Sequence, residues 1–301
     1  MNRSRLHWAL IAGTAAAVGV GAALSMRALT ELVDATLPDA RGIASFNRPG
    51  TITLLSTNGK VIQKLGPATR EKVKPGAMPP TVAEAFIAAE DRRFYQHDGV
   101  DGWGIARAIV TNVRQGAVRE GASTITQQLA RTVFLSQDRT ITRKLKEAAL
   151  AMKLERQLSK QQILEQYLNY VYLGSGAYGV ADAAWIYFSK TPEQLTVPEA
   201  AMIAGLPPAP SIYSPLVNPD LAKEQRSIVL DRMAQAGFIS ASEAERGRNS
   251  PLGLKPATPK YFNSSAPYFT TWIAQELPKF LTPEQLEVGG IKVRTLSLIH
   301  I

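Results

Sequence analysis

The 301-residue sequence contains no cysteine and only three histidines. Without cysteine, a disulfide framework, a zinc-thiolate site and a thiol nucleophile are all excluded, although the absence does not identify the redox compartment. The hydrophobic content of 45% is enough for a sizeable core, in one large domain or two small ones. Any chemistry must therefore come from carboxylates, basic side chains and hydroxyl groups.

Acidic residues are the minority among the charged side chains, and the formal net charge is +9. This excess predicts an anionic partner, which could be nucleic acid, a membrane surface or a phosphorylated substrate. The uncharged run from Trp8 to Ser25 favours a membrane, because its length is just sufficient to span a bilayer. Arg3 and Arg5 precede the run, so the positive-inside rule places the N-terminus in the cytoplasm. A cleaved signal peptide is the alternative, because small residues in the run offer cleavage sites.

We therefore predict a single-pass protein of the inner (cytoplasmic) membrane, with the rest of the chain on the periplasmic or extracellular face. Nucleic acid is not expected as a partner there. Next to the membrane, residues 51–65 predict a β-hairpin with a type I′ turn at Asn58-Gly59. Apolar residues at three-to-four spacing then predict a mainly helical region up to about Gly237, and residues 289–295 predict a strand.

Residues 88–101 (AAEDRRFYQHDGVD) concentrate acids, arginines and aromatics at the end of a predicted helix. Thr81 and Glu84 predict a capping box at its start, so the helix delivers Glu90 and Asp91 at its C-terminal end. Solvated ion pairs with Arg92 and Arg93 would explain the cluster without any chemistry. The segments that follow in the chain favour a functional interpretation.

Two of these segments collect groups that bind anions. Residues 120–131 (EGASTITQQLAR) place hydroxyl groups and amides at a helix start, where backbone NH groups and the helix dipole favour an anion. Residues 139–147 (RTITRKLKE) align Arg139, Arg143 and Glu147 on one helical stripe, with Lys144 nearby. Such a set suits a reaction in which a base activates a hydroxyl group and cations neutralise a departing pyrophosphate.

Five segments in this order resemble the five motifs of the peptidoglycan glycosyltransferase family: EDRRFYQH at 90–97, GASTITQQ at 121–128, RKLKE at 143–147, ILEQYLNY at 163–170 and EAAMIAGLP at 199–207. The match covers roughly residues 75–240. Five motifs in sequence are highly specific, whereas one alone would be weak. The family usually has lysine where Arg131 stands, which keeps the charge but changes the geometry of phosphate binding.

The resemblance implies a mainly α, lysozyme-like glycosyltransferase domain. With the segments already described, the predicted fold is this domain with an N-terminal transmembrane helix and a small juxtamembrane β-hairpin. The resemblance also implies polymerisation of lipid II by inverting transfer, with undecaprenyl pyrophosphate as the leaving group. Glu90 would be the general base on the acceptor 4-hydroxyl, and Glu147 a second catalytic acid beside the donor. The residues expected to bind substrate are Asp91, Phe94, His97, Ser123, Thr124, Gln127, Gln128, Arg131, Arg139, Arg143, Lys144 and Asn169.

The same resemblance implies lipid II, the growing glycan chain and the lipid bilayer as partners, and other cell-wall synthesis proteins could join them. Residues 99–118 would form a jaw that dips into the bilayer, although a soluble core helix fits the pattern equally well. No tight metal site and no required cofactor are expected. A divalent cation, Mg²⁺ or Mn²⁺, could assist at the pyrophosphate.

The expected organisation has five parts. They are a cytoplasmic tail and anchor (1–28), a connector with the hairpin (29–74), the glycosyltransferase domain (75–245), a linker (246–295) and a short tail (296–301). The linker resembles that of class A penicillin-binding proteins, where it leads to a transpeptidase domain. No Ser-x-x-Lys motif of such a domain occurs in the chain. The tail LSLIHI resembles a translated transposon-end adapter, so we predict that it is not native.

Two other functions remain open at this point. In a lysozyme-like hydrolase or lytic enzyme, Glu90 would act as general acid on an existing glycosidic bond. The basic stripe argues against this, because a neutral sugar leaving group needs no cationic clamp. A non-catalytic, membrane-anchored cell-wall scaffold would use the same charge to bind anionic lipid or cell-wall partners.

Overall fold

The computed structural model describes residues 52–65, 72–74, 76–107, 123–134, 141–257, 266–282 and 291–296. Several sequence predictions lie outside these residues: the apolar run Trp8 to Ser25, most of the connector, Arg139, much of the proposed jaw and residues 297–301. Within the described part of the chain, no helix has the length and apolar character needed to cross a membrane.

The described residues are mainly helical, as the sequence predicts. The helices are α1 (Pro80–Glu90), α2 (Ile125–Phe134), α3 (Ile141–Gln157), α4 (Lys160–Tyr170), α5 (Val180–Phe188), α6 (Val197–Ala204), α7 (Pro210–Tyr213), α8 (Pro219–Gln235), α9 (Ala241–Asn249) and α10 (Pro267–Glu276). Three short 3₁₀ helices lie at Phe94–Gln96, Pro192–Gln194 and Leu277–Lys279.

Helix α1 begins two residues earlier than the capping-box prediction. Pro79 is its N-cap residue and Pro80 occupies the first turn, and no side chain caps the start. Proline is tolerated at this position because its fixed φ suits the helix and its missing NH would have no partner there. The predicted cap at Thr81 is therefore wrong, but the helix still ends at Glu90.

One large apolar core holds the helical part together. The apolar side of α1 contributes Val82, Phe86 and Ile87, and α1 packs against α6 and α8. The rings of Phe86 and Tyr167 meet edge to face at 6.1 Å, which joins α1 to α4. Helix α2 packs on α3 and α4. The start of α2 and the end of α1 are consequently held on a common support.

A second, smaller core lies under a three-stranded sheet with the order β2-β1-β3. The strands are β1 (Ile52–Leu55), β2 (Val61–Leu65) and β3 (Ile291–Arg294); β1 pairs antiparallel with β2 and parallel with β3. Ile52, Leu54 and Ile62 pack against Ile273 and Leu277 of the α10 region. The hairpin prediction is confirmed, and the strand predicted at 289–295 turns out to extend the same sheet.

The turn of this hairpin differs from the predicted type I′. Ser56 donates its NH to the carbonyl of Lys60 at 2.9 Å, so the loop contains three residues. Among these three, Gly59 alone has a positive φ, of 83°. A three-residue loop of this kind combines an ordinary turn with a left-handed glycine, whereas type I′ needs positive φ at two residues.

A buried arginine fastens the segment after α9 to α8. The Arg226 side chain is 1% exposed. Its guanidinium donates to the carbonyl oxygens of Arg248 (3.0 Å), Ser250 (2.7 Å) and Pro251 (3.1 Å). Burial lowers the pKa of Arg226. The guanidinium thus replaces its lost water with backbone carbonyls.

Gly99 is a glycine that the fold requires, and it gives a first prediction. Its φ is +93°, and a Cβ built there would lie 2.7 Å from the backbone carbon of Ala151 on α3. We expect Gly99→Ala to lower the free energy of unfolding by about 2 kcal/mol or more, because strain and overlap add. Urea denaturation would measure this change. Gly76→Ala is the matched control, since Gly76 has φ +75° but open space around it; equal losses in the two variants would contradict the packing argument.

Candidate active site

A cleft of about 690 Å³ opens where α1 ends, α2 begins and α8 passes. Its wall combines residues that the sequence predicts for the site with others that it does not. The lining includes Glu90, Asp91, Arg92, Arg93, Asp101, Arg107, Ser123, Thr124, Gln128, Arg131, Pro207, Pro208, Tyr213, Glu224, Gln225, Ile228 and Arg232. Acids and bases that are distant in sequence therefore face one space.

Glu90 enters the cleft from the last residue of α1. Gln128 Nε2 donates a hydrogen bond of 2.6 Å to Glu90 Oε2. The Tyr167 hydroxyl donates to Gln128 Oε1 at 3.1 Å, which fixes the amide with its NH₂ group toward the carboxylate. One carboxylate oxygen is thus held by a buried chain of hydrogen bonds from α4 through α2 to α1.

The surroundings of Glu90 change its acidity. Burial of the carboxyl group raises the pKa of Glu90 above its ordinary value. The hydrogen bond from Gln128 and the positive charges of Arg232 and Arg131 act in the opposite direction, and Asp91 adds to the increase. A glutamate with a raised pKa can accept a proton more readily than one in free solution.

Asp91 and His97 form a buried support behind Glu90. Asp91 Oδ2 accepts from His97 Nε2 at 3.0 Å and from the backbone NH of Ile125 at 3.1 Å. The NH of Gly99 donates to His97 Nδ1 at 3.2 Å, which assigns the ring proton to Nε2. Asp91 therefore joins the end of α1 to the start of α2. In this arrangement His97 orients the carboxylate and does not line the cleft, so its predicted contact with substrate stays a prediction.

The start of α2 uses its own polar groups as a cap. Thr124 Oγ1 accepts from the NH of Gln127 at 3.1 Å and donates to the carbonyl of Gly99 at 2.6 Å. Gln127 Oε1 accepts from the NH of Thr124 at 3.1 Å, which completes a capping box. Thr124 lines the cleft, whereas Gln127 does not. Their predicted substrate contacts stay predictions.

The basic stripe on α3 lies beside the cleft. Glu147 is 1% exposed and pairs with both Arg143 and Lys144, the latter with its Nζ at 2.9 Å. Lys144 Nζ also donates to Ser123 Oγ at 2.7 Å, and Ser123 lines the cleft. The three charged residues do not themselves line it. Ser123 is therefore the link between the Glu147 cluster and the cleft wall.

Phe94 and Asn169, two further predicted site residues, lie away from the cleft lining. Phe94 is buried, and Lys160 Nζ lies 4.5 Å from its ring centroid. The side-chain amide of Asn169 forms two hydrogen bonds with the backbone of Val73, at 2.8 and 3.1 Å. Asn169 thus holds the segment that precedes α1 against α4. Its predicted contact with substrate stays a prediction.

Sequence reasoning missed the part of the cleft lining that α8 supplies. Glu224, Ile228 and Arg232 recur every four residues along this helix, so they share one face. That spacing was visible in the sequence. The spacing alone did not assign these residues to the site, however, because no signal in the nearby sequence shows that α8 packs against the end of α1.

A family model described as Transglycosylase matches residues 58–234, which include α1 to α7 and nearly all of α8. The chain belongs to the transglycosylase family. It is 45% identical to penicillin-binding protein 1A of Neisseria lactamica over 259 residues, 86% of the chain and 32% of that protein. It is 42% identical to penicillin-binding protein 1A of Escherichia coli (strain K12) over 253 residues, 84% of the chain and 30% of that protein.

The transglycosylase-family chain thus spans about a third of the length of these relatives. Among solved structures, it is similar to penicillin-binding protein 1A from Haemophilus influenzae, with 25% identity and a TM-score of 0.44. That match covers 83% of this chain and 27% of the other. The family match includes every residue that the sequence assigned to the site, from Glu90 to Asn169.

Proposed function

We propose that this chain is a peptidoglycan glycosyltransferase that polymerises lipid II, with inversion at the donor carbon. Glu90 accepts the proton of the acceptor 4-hydroxyl as that oxygen attacks C1 of the donor sugar. The bond from C1 to the pyrophosphate oxygen breaks, and undecaprenyl pyrophosphate leaves with the electron pair. The family membership and the position of Glu90 support this reaction.

The observation that carries the proposal is that Glu90 and Arg131 line the same cleft. A single carboxylate that takes up a proton needs a raised pKa, and burial has that effect on Glu90. A leaving pyrophosphate needs cations, and Arg131 faces the same space as the carboxylate. The proposed remaining clamp consists of Arg139, Arg143 and Lys144, with Glu147 holding the last two.

The binding of a divalent cation is a separate question. Three acids of the cleft wall already have contacts with protein side chains. Glu90 contacts Gln128, Asp91 contacts His97, and Asp101 contacts Arg93 at 3.7 Å. Among the described residues no group of three or more acids and histidines has the arrangement of a metal site. Where a Mg²⁺ or Mn²⁺ ion assists, we propose that the pyrophosphate oxygens hold it, and we expect no cofactor to be required.

Lipid II polymerisation by the 301-residue chain in detergent tests the proposal. We expect glycan chains to form from lipid II, with release of undecaprenyl pyrophosphate, and no release of fragments from finished peptidoglycan. Arg131 and the proposed clamp favour this outcome, because hydrolysis that releases a neutral sugar needs no cations at the leaving group. Release of fragments without polymerisation would instead establish the hydrolase. Lipid II binding without turnover would establish the scaffold, and we expect neither result.

A further inference from the structure

Among the arginines of α8, a helix that lies wholly within the described chain, Arg232 is the one that lines the cleft. It lies in the last turn of α8, 143 residues after Ala89 in the sequence. Its guanidinium Nη1 donates a hydrogen bond of 2.6 Å to the carbonyl oxygen of Ala89. Ala89 directly precedes Glu90, so this contact is made one residue from the proposed base.

The carbonyl that Arg232 binds is one of those that a helix leaves without a partner. The last four carbonyls of an α-helix receive no NH group from within the helix, and basic side chains at that end are favourable. Ala89 belongs to this last turn of α1, and no basic residue of α1 itself is available there. Arg232 therefore supplies from α8 the positive cap that the α1 sequence lacks.

We propose that Arg232 is a positioning residue for the transfer reaction. It fixes the last turn of α1 through the Ala89 carbonyl and keeps a positive charge beside the Glu90 carboxylate. This inference rests on the proposed function. Glu90 needs such a residue because it is the last residue of α1. Without a contact that fixes the last turn, the carboxylate would be free to move relative to Gln128.

The electrostatic effect of Arg232 has a defined direction. Its charge lowers the pKa of Glu90 against the increase caused by burial. The loss of this charge raises the pKa of Glu90 further, so the ionised base disappears at a higher pH. The other charged or titratable groups that face Glu90 or share its cleft are Asp91, Arg92 and Arg93 after α1, Asp101 and Arg107, Arg131 on α2, Tyr167 on α4, Tyr213 on α7, and Glu224 on α8.

The test compares pH profiles of lipid II polymerisation for three forms of the 301-residue chain. In Arg232→Gln we expect the acid limb of kcat to move to higher pH, with a loss of about tenfold in kcat on the acid side. In Arg232→Lys the charge remains but the forked donor is lost. We therefore expect the acid limb to stay near that of the unchanged chain, with a smaller loss of kcat at all pH values.

Arg246→Gln serves as the matched control, because Arg246 is an exposed arginine of α9. Its profile should equal that of the unchanged chain. Thermal melting of all forms identifies a variant that has lost its fold. An acid limb in Arg232→Gln that does not move, or an Arg232→Lys profile that matches Arg232→Gln, would overturn the positioning role. No polymerisation by the unchanged chain would instead overturn the proposed function.

Discussion

Glu90→Gln is expected to lower the rate of lipid II polymerisation about 10³-fold at neutral pH while leaving the fold intact. The substitution keeps the shape of the side chain and removes only its ability to accept a proton. The Gln128 amide can still donate to the new side-chain oxygen, so the chain of hydrogen bonds from Tyr167 can persist. The rate of glycan formation from lipid II in detergent measures the effect.

Glu84→Gln is the control for this result. Glu84 lies on the same helix, less than two turns before Glu90, and it does not line the cleft. Its variant should polymerise at the rate of the unchanged chain. Thermal stability of Glu90→Gln should not fall, because burial already disfavours the charged form of Glu90. Equal polymerisation by Glu90→Gln and the unchanged chain would remove Glu90 as the base.

Arg226→Met is expected to have the largest effect on stability, a loss of about 3–5 kcal/mol in the free energy of unfolding. Methionine can occupy much of the same volume but donates no hydrogen bond. The carbonyl oxygens of Arg248, Ser250 and Pro251 would then lose the charged donor that they share. Urea denaturation of the 301-residue chain measures the loss.

Two comparisons make this prediction specific. Arg246→Met changes an exposed arginine of α9 and should leave the denaturation midpoint unchanged. Limited proteolysis of Arg226→Met should reveal earlier cleavage near residues 248–251, where the clamp holds the chain. If the midpoint of Arg226→Met coincided with that of Arg246→Met, the buried guanidinium would not stabilise the fold.

Local signals in the sequence were sufficient for individual elements. The three-to-four spacing of apolar residues placed α1 with its end at Glu90, and alternation around Asn58-Gly59 placed the hairpin. The exact boundaries of elements were harder to predict where two local sequence preferences compete. Pro80 took the helix start from Thr81, and a third loop residue replaced the type I′ turn. These differences concern two residues at the helix start and one in the loop, and they leave the site unchanged.

Contacts between distant segments could not be predicted from such signals. Nothing near Arg232 in the sequence shows that its guanidinium meets the carbonyl of Ala89, because the pairing depends on how α8 packs against α1. The same limit applies to Asn169, because its motif gives no sign that the side-chain amide also binds the backbone of Val73. The resemblance supplied the site as a set of positions, and packing decides which of them face the cleft.

The parallel pairing of β1 with β3 has a mechanical consequence. Ile52 lies beside Ile291 and Leu55 beside Arg294, so the chain enters the pair at one end of the ladder and leaves it at the other. Tension between the segment before Ile52 and the segment after Arg294 would load these hydrogen bonds in shear, all together, instead of opening them one by one. The helices that carry the cleft lie between the two strands in sequence, and the sheet would shield them from that pull.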